Sequence, residues 1–416
     1  MTLTKEQADT ITATVPVLVQ YGNQITTAFY ANLLRDVPAL NNVFNTSNQR
    51  NGHQQKALAG ALYAYAANIN NLDALKPALE RICQKHVSLY IKPEQYDIVG
   101  KYLLGAMGEV LGEALSLEIL EAWTAAYKQL ADIMIKHEAE LVQQNEDWTE
   151  WREFRIQQKK QESEEVTSFY LVPVNGKPLP EFLPGQYISL QVEVPDTNYN
   201  QARQYSLSDK YSPEYYRISV KREQGLNVKQ NPDAMAQPGC VSNILHDQKK
   251  VGDIVQLSHP AGDFFLDVRK PGEERNPVVL LSAGVGLTPM TSILNTLVAK
   301  NGRQISWVHV SKSQRTHAFN DHVNKIAESY PEINKRVFHS RPVEGEKPGF
   351  HYDHKGRLDL SKLEPTNDLR LNDKSSAYYI CGPERFMTEL EQALQAKGVD
   401  SSRINMELFG TGGVPH

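Results

Sequence analysis

The stretch KHVSLYIKPEQY, residues 85–96, places one histidine within an apolar helical pattern. Leu79, Ile82 and His86 follow the spacing i, i+3 and i+7, which predicts that the imidazole of His86 faces a hydrophobic core. A buried imidazole is either a core side chain with ordinary hydrogen-bond partners or a ligand of a haem or metal ion. The local pattern leaves both interpretations open, and the rest of the chain has to decide between them.

Composition narrows the class of protein. The 416 residues carry a net charge of −5, with 40% hydrophobic and 22% charged residues, which is typical of a globular protein and argues against nucleic-acid binding. Three widely separated cysteines form no C-x-x-C pair and indicate reduced thiols. Because the sequence has no secretion signal and no apolar run near the ~20 residues of a membrane span, we expect a cytoplasmic protein.

Three sequence patterns follow one another along the chain. Helical periodicity comes first, short alternating runs broken by Gly, Pro and Asn come next, and alternating strands and helices fill the remainder. This order predicts a multidomain protein with an all-α domain, an antiparallel β-barrel domain and an α/β domain, at residues 1–147, 148–268 and 269–416. Helices are predicted after a capping box at Thr4 and Gln7, and then at 24–35, 52–70, 77–89, 93–113 and 116–145.

A glycine-rich turn lies near the start of the last domain. In LLSAGVGLTPM, residues 280–290, Gly284, Gly286 and Pro289 lie between an apolar strand and a helix. Glycines let the backbone approach a pyrophosphate, and the first turn of the helix supplies N–H donors. By itself the motif fits an ordinary tight turn better than a nucleotide site.

Polar and aromatic residues on both sides of this turn favour a cofactor. RQYSLSD places Arg203, Tyr205 and Ser206 on a strand, where they are suited to a phosphate, a flat ring and a ring nitrogen. Further candidates are Tyr187 in PGQY, Gly239 and Ser242 in GCVSNIL, Cys381 in YYICGPERFM, and Glu407 and Phe409 in NMELFG. In this order the motifs resemble those of the ferredoxin-NADP reductase family, over roughly residues 152–416.

That resemblance implies a hydride transfer from a nicotinamide nucleotide to FAD. The residues implied to bind FAD are Tyr187, Arg203, Gln204, Tyr205, Ser206, Gly239 and Ser242. Those implied to bind the nucleotide are Gly284, Val285, Gly286, Leu287, Thr288 and Pro289. The remaining cofactor-binding candidates are Cys381, Glu407, Leu408, Phe409 and Gly410. By the family's pattern Cys381 lies near the hydride-transfer site, Phe409 lies against the flavin ring, and Glu407 influences the flavin potential.

The choice between NADH and NADPH depends on the loop after the next strand. A carboxylate there would favour NADH by holding the ribose hydroxyl. This chain has Ser311, Lys312, Ser313 and Arg315 instead, which are suited to a 2′-phosphate. The sequence therefore leans towards NADPH or dual use.

Polar residues also recur on the core face of the helical domain. Gln54 lies one turn before Leu58, and Glu138 shares a face with Met134. Together with Phe44, His86 and the phrases NTSNQRNG, KHVSLYIKPEQY and WREFRI, this arrangement is similar to flavohaemoglobins, in which a globin domain is fused to such a reductase. The similarity covers essentially the whole chain.

The flavohaemoglobin resemblance assigns a role to each of these residues. It implies a haem b with His86 as the iron ligand, and a hydrogen-bonded network of Tyr96 and Glu138 behind it. Lys85 would tune the haem potential, and Phe44 would contact the haem. On the other side of the ring, Tyr30 and Gln54 would donate hydrogen bonds to bound O₂, and Leu58 would shape an apolar pocket. His53 replaces Gln54 if the helix register shifts by one residue.

The function implied by the resemblance is that of a nitric oxide dioxygenase. NAD(P)H would reduce FAD, FAD would reduce the haem, and the reduced haem would convert NO and O₂ to nitrate. Two alternatives are a haem-linked reductase of hydroperoxides or other acceptors, and an oxygen-binding or sensing globin. The expected partners are small molecules, with a possible lipid in the distal pocket, and the expected state is a monomer.

Overall fold

The computed structural model of the protein describes residues 3–45, 49, 51–144, 148–195, 197–225, 239–300 and 302–410. The helices are α1 Lys5–Ala13, α2 Val15–Asp36, α3 His53–Ala67, α4 Lys76–Ser88, α5 Pro93–Leu111, α6 Leu117–Gln143, α7 Cys240–Asn243, α8 Leu287–Lys300, α9 Asn320–Ser329 and α10 Glu384–Ala396. The strands are β1 Arg152–Gln161, β2 Val166–Pro173, β3 Tyr187–Val194, β4 Tyr199–Ser206, β5 Tyr216–Lys221, β6 Ile254–Leu257, β7 Val278–Ala283, β8 Ile305–Ser311, β9 Ile333–His339, β10 His354–Lys355, β11 Ala377–Cys381 and β12 Ile404–Glu407.

Local capping sets the helix starts of the first domain. The side chain of Thr4 accepts from the amide of Gln7, and the Gln7 side chain accepts in return from the Thr4 amide, so the predicted capping box is present. Ser116 caps α6 by accepting from the amide of Ile119 at 3.3 Å. Helix α2 begins at Val15, earlier than the predicted residue 24, because Pro16 fits the first turn of a helix and the apolar residues after it continue the pattern.

The helical domain has one main core. Helix α2 packs against α3 and α5, and α1 packs against α6. Ile25, Phe29, Leu33, Met107 and Trp123 are at most 3% exposed and form the centre of this core. A second, smaller cluster lies between α4, α5 and α6, and the two clusters share Tyr127 and Leu130. The site described below lies at this junction.

The middle domain is the predicted antiparallel barrel. Its six strands follow the order β4-β3-β6-β1-β2-β5, and all pairs are antiparallel. Leu207, directly after β4, pairs with Ile218 of β5, which joins the two ends of the sheet. Inward-facing Phe154, Leu171 and Leu190 are fully buried inside it.

The last domain is a doubly wound α/β unit. Its six parallel strands follow the order β10-β9-β8-β7-β11-β12. Helices α8 and α9 contribute to the core on one face, and α10 contributes to the core on the other. The glycine-rich turn follows β7 near the middle of the sheet, where this class of fold binds ligands. Within the described residues, no helix is long and apolar enough to span a membrane.

Candidate functional site

The end of α4, the first turn of α5 and the last third of α6 bring three polar side chains together. The Nδ1 atom of His86 lies 2.9 Å from the hydroxyl of Tyr96 and 2.8 Å from Oε1 of Glu138. The hydroxyl of Tyr96 donates to the same Glu138 oxygen at 2.6 Å. A carboxylate that accepts the Nδ1 proton fixes the tautomer, so Nε2 is the ring nitrogen suited to bind iron.

An apolar environment strengthens this proximal network. Tyr96 and Glu138 are only 8% and 7% exposed, in a cluster with Cys83 and Val87. Burial raises the pKa of Tyr96, and the Glu138 carboxylate raises it further, so Tyr96 stays a neutral donor. Burial, followed by the charge of Glu138, also raises the pKa of the Cys83 thiol to about 12. The Glu138 side chain therefore lies beside His86 in an apolar pocket, and a carboxylate in that position makes an imidazole a strong iron ligand.

The residues predicted for the distal side lie in the main helical core. The rings of Tyr30 and Phe44 meet edge to face with centroids 5.4 Å apart, and Leu58 packs against the same cluster. Burial raises the pKa of Tyr30, while a hydrogen bond from the Gln54 side chain acts in the opposite direction. His53 is exposed at the start of α3, so Gln54 is the side chain directed towards Tyr30.

An unpartnered polar atom indicates that this core is built for a ligand. Oε1 of Gln54 is buried and has no hydrogen-bond partner among the described residues. A buried, unpaired amide oxygen costs free energy unless another group meets it. An imidazole backed by a carboxylate, with aromatic and aliphatic walls and a polar distal pair, fits a haem.

The predicted FAD residues lie side by side on two paired strands. Arg203, Gln204, Tyr205 and Ser206 end β4, and Tyr187 pairs with Ser206 at the start of β3. Burial raises the pKa values of both tyrosines and lowers the pKa of the Arg203 guanidinium. Because burial disfavours the positive charge of Arg203, the negative charge of a phosphate would stabilise this side chain.

The predicted second phosphate contact is a close-packed turn. A Cβ on Gly239 would lie 2.7 Å from Oγ of Ser242 and 2.8 Å from Cβ of Glu223, so this position requires glycine. The Ser242 hydroxyl accepts from the Glu223 amide at 3.3 Å and donates to the Gly239 carbonyl at 3.2 Å. Backbone can approach a ligand closely at such a turn.

One cluster of charges joins all three domains. Lys85 of α4, next to His86, has its pKa lowered by burial and by Arg203 of the barrel, and raised by Glu407 of β12. Burial, together with Asp263, raises the pKa of Glu407 to about 8. Charges of the barrel and of β12 therefore act on the residue next to His86, which sequence spacing alone could not show.

The glycine-rich turn makes a close approach to β11. Gly284 has φ of +55°, and a Cβ on Gly286 would lie 2.3 Å from the carbonyl oxygen of Cys381. Pro289 falls in the first turn of α8, as predicted. Cys381 is fully buried and its pKa is raised by burial, so it is a thiol rather than a thiolate.

The other predicted residues of this region divide between turn and tail. The Thr288 hydroxyl donates to the Val285 carbonyl at 3.0 Å, and Leu287 is buried in the sheet core. After β12, Leu408 packs against the opposite core, while Phe409 is 44% exposed and Gly410 is exposed.

The predicted 2′-phosphate residues have partners in the barrel domain. Nζ of Lys312 lies 2.8 Å from Glu165, and the Arg315 guanidinium lies 3.8 Å from Glu164. The Glu164 amide also donates to the Arg315 carbonyl at 2.9 Å. Sequence reasoning missed these two carboxylates, although the acidic run ESEEV is visible between β1 and β2.

Family models match each of the three parts of the chain. A Globin model matches residues 27–134, an Oxidoreductase FAD-binding domain model matches 153–266, and an Oxidoreductase NAD-binding domain model matches 280–392. A curated flavohemoprotein of Bordetella parapertussis is 44% identical over 99% of this chain and 100% of its own length. The chain belongs to the flavohemoprotein family. A second member, from Rhizobium meliloti, is 42% identical over 98% of both chains.

Solved structures agree with the family assignment. The chain is similar to a flavohemoglobin from Malassezia yamatoensis with bound FAD and heme, at 28% identity and a TM-score of 0.83, over 98% of this chain and 100% of that one. It also resembles the flavohem-like FAD/NAD-binding domain of nitric oxide dioxygenase from Vibrio cholerae, at 36% identity and a TM-score of 0.53, over 62% of this chain and 98% of that one. The three-domain order predicted from the sequence is thereby confirmed.

Proposed function

We propose that this flavohemoprotein is an NAD(P)H-dependent nitric oxide dioxygenase that converts NO and O₂ to nitrate. The observation that carries the proposal is the direct contact between α4 and the barrel, where Gln84 accepts from the Gly262 amide at 3.0 Å and the hydroxyls of Ser88 and Ser189 lie 2.9 Å apart, because it places a reductase module beside the helix that carries His86. A protein that only stores O₂ needs no electron supply. The name of the similar Vibrio cholerae protein supports the substrate.

The cofactors in this proposal are one haem b, one FAD and a transient NAD(P)H. When bound, FAD accepts a hydride and releases single electrons, and haem iron binds O₂. His86 is the proposed iron ligand through Nε2. Glu138 accepts a hydrogen bond from Nδ1 and Tyr96 holds Glu138 in place, so the imidazole is fixed in one tautomer and orientation.

The distal residues determine which side chains surround a ligand bound to the haem. The Gln54 amide and the Tyr30 hydroxyl are the proposed donors to a partly negative ligand, because each is held in place by the other. Leu58 and Phe44 exclude water from the same space. This apolar volume also allows a lipid tail to bind there, which we include in the proposal.

The reductase residues bind and orient their nucleotides. Arg203 and Ser206 are the proposed partners of FAD polar groups, and Tyr187 and Tyr205 supply flat surfaces for its rings. The other proposed FAD contacts are Gln204, Gly239, Ser242, Leu408, Phe409 and Gly410. The turn 284–289 approaches the NAD(P)H pyrophosphate. Cys381 stays neutral at the hydride-transfer site, and Glu407, with a pKa near 8, can hold a proton near neutral pH.

We expect a monomeric cytoplasmic protein. Its three cysteines are all free thiols, which fits a reducing compartment.

Product analysis tests the proposed function. NO and O₂ need one electron to become nitrate, so each NAD(P)H should support the oxidation of two NO molecules. We expect NO loss at an electrode, nitrate accumulation and NAD(P)H oxidation in that proportion. NAD(P)H oxidation that depends on a hydroperoxide and yields no nitrate would instead support the acceptor reductase. An oxygen-binding globin would show neither reaction.

A further inference from the structure

A chain of buried hydrogen bonds connects the flavin strand to the helix that carries His86. The hydroxyl of Ser88, the last residue of α4, lies 2.9 Å from the hydroxyl of Ser189 on β3. Ser88 donates to the carbonyl of Lys85 at 2.8 Å, and Nε2 of Gln204 donates to Ser189 at 2.9 Å. Both serines are 0% exposed.

The direction of this chain follows from the number of protons. A serine hydroxyl has one proton to donate. With Ser88 donating to the Lys85 carbonyl, Ser189 donates to Ser88 and accepts from Gln204. The side chain of Tyr187 on β3 also shares a hydrogen bond with Ser88. These bonds connect the amide on β4 with the last turn of α4. We call Gln204, Ser189 and Ser88 the serine relay.

The two ends of the serine relay lie at the two proposed cofactor sites. Gln204 stands between Arg203 and Tyr205 on the strand proposed to bind FAD. The carbonyl of Lys85 directly precedes His86 and belongs to the last turn of α4, whose carbonyls need partners from outside the helix. The relay is thus short, buried and specific to the residues around the proposed iron ligand.

Other contacts fix the body of α4 on the barrel but do not replace the serine relay. The Gln84 side chain accepts from the Gly262 amide at 3.0 Å, and Arg81 lies 3.6 Å from Asp263. These side chains are partly exposed, and they hold the helix one turn or more before Ser88. Beyond the helix, the Tyr90 hydroxyl accepts from the His259 amide at 3.2 Å. In the last turn itself, the contact with the barrel is the buried pair of serine hydroxyls.

We propose that Ser88 and Ser189 are positioning residues that hold the last turn of α4, and with it His86, in a fixed place relative to the flavin strand. The inference rests on the proposed function for the identity of the two cofactors, but not for the reaction with NO. Removing either hydroxyl leaves a buried donor or acceptor without its partner and loosens that turn. Electron passage between the two sites should then slow, while each site keeps its own binding residues.

Rapid mixing of the holoenzyme with NADH under anaerobic conditions tests the serine relay. We would compare Ser88→Ala and Ser189→Ala with the control Ser168→Ala, because Ser168 forms a similar buried pair with Ser219 at 2.8 Å inside the barrel. In the relay variants we expect flavin reduction at the wild-type rate and severalfold slower haem reduction, because loss of a buried hydrogen bond loosens the turn that carries His86. The control should keep both rates.

Hydrogen exchange gives a second readout that does not depend on turnover. Amides 85–92 of the holoenzyme should exchange faster in both relay variants and at the wild-type rate in Ser168→Ala. Ser189→Thr retains a hydroxyl and should restore both measurements. Wild-type haem reduction and exchange in both alanine variants would overturn the proposal, as would an equal loss in the control. Failure of the dioxygenase function would appear differently, as normal haem reduction without nitrate.

Discussion

Histidines in two regions of this protein have different surroundings. His86, in the helical domain, is partly exposed and meets the Glu138 carboxylate and the Tyr96 hydroxyl through one nitrogen. In the nucleotide-binding domain, the buried rings of His309, His317 and His339 form a histidine row with ring centroids 4.8 Å and 5.9 Å apart. Within this row, Nδ1 of His339 lies 2.6 Å from Glu346, whereas His309 and His317 form no ion pair among the described residues. Each of these three rings has one buried nitrogen without a partner in the described part of the chain.

The comparison shows that burial alone does not define a functional histidine. Burial, and then the neighbouring His339, lowers the pKa of His309 to about 3, and burial lowers the pKa of His317 in the same direction. These rings are neutral packing elements, and no group of three or more potential ligands within the described residues is arranged to hold a metal. His86 has a carboxylate partner of the kind that supports a metal ligand, and His309 and His317 lack one among the described residues.

Of the substitutions that test this comparison, His86→Ala should have the largest effect on haem binding and on activity. His86→Ala removes the proposed iron ligand, so we expect loss of tight haem binding and of nitrate formation, with FAD content and dye reduction by NADH retained. Haem content per chain is the measurement. His53→Ala, at an exposed position, should keep its haem. Tight haem binding with an unchanged spectrum in His86→Ala would disprove the assignment.

Changing the partner of His86 should have the next largest effect. Glu138→Gln keeps the shape but removes the charge that accepts the Nδ1 proton, and we expect about 10- to 100-fold slower nitrate formation with haem retained. Tyr96→Phe keeps the His86–Glu138 contact and should cost less. The order of the two rates, measured with equal haem content, checks the role of the carboxylate, and a larger loss in Tyr96→Phe would contradict it.

Acid should lower the stability of the domain that contains the histidine row. In the unfolded chain these imidazoles take up protons below about pH 6.5, while the folded rings of His309 and His317 resist protonation. The free energy of unfolding of the last domain should therefore fall as pH drops below 6.5, by about 1.4 kcal/mol per pH unit for each neutral ring. Calorimetry from about pH 7.5 to about pH 5 measures this slope.

Two substitutions sharpen the acid experiment. His317→Asn removes one buried titrating ring and should make the dependence on pH shallower. His53→Asn removes an exposed ring and should leave the slope unchanged. An unchanged slope in His317→Asn would show that the row does not set the acid sensitivity of this domain.

The smallest effect is expected at the nucleotide loop. Glu165→Gln releases Lys312 from its ion pair, so we expect kcat/KM for NADPH to rise by about two- to fivefold, within the range of an exposed pair. The value for NADH should change little. Glu389→Gln breaks an exposed pair with Arg385 elsewhere and is the matched control. An equal gain with both nucleotides would rule out a 2′-phosphate contact.

Much of the architecture was predictable because local rules set it. The Thr4 capping box, the Ser116 cap and the glycine-rich turn before Pro289 are short-range patterns, and the structure shows all three. The helical spacing that turned His86 towards a core is likewise local. The ligand role of His86 is different, because it rests on family resemblance and stays a prediction.

Contacts between distant residues could not be predicted in this way. Ser88 and Ser189 are 101 positions apart, and their hydrogen bond exists only because the barrel packs against α4. The ion pair of Lys312 with Glu165 has the same origin, because it joins the nucleotide-binding domain to the barrel domain. Polar residues of this kind have no periodicity, so only the folded structure reveals their partners.

We would record the absorption spectrum of the purified protein before and after NADH is added without oxygen. This measurement tests whether both cofactors bind and whether electrons from NADH reach the His86 site. We expect a haem Soret band together with flavin absorbance. When NADH is added, the Soret band should shift to the position of the reduced haem. This result would demonstrate both cofactors and the electron supply to the His86 site. A flavin spectrum alone, even after haem is supplied, would contradict the account and make His86 a packing residue like those of the histidine row.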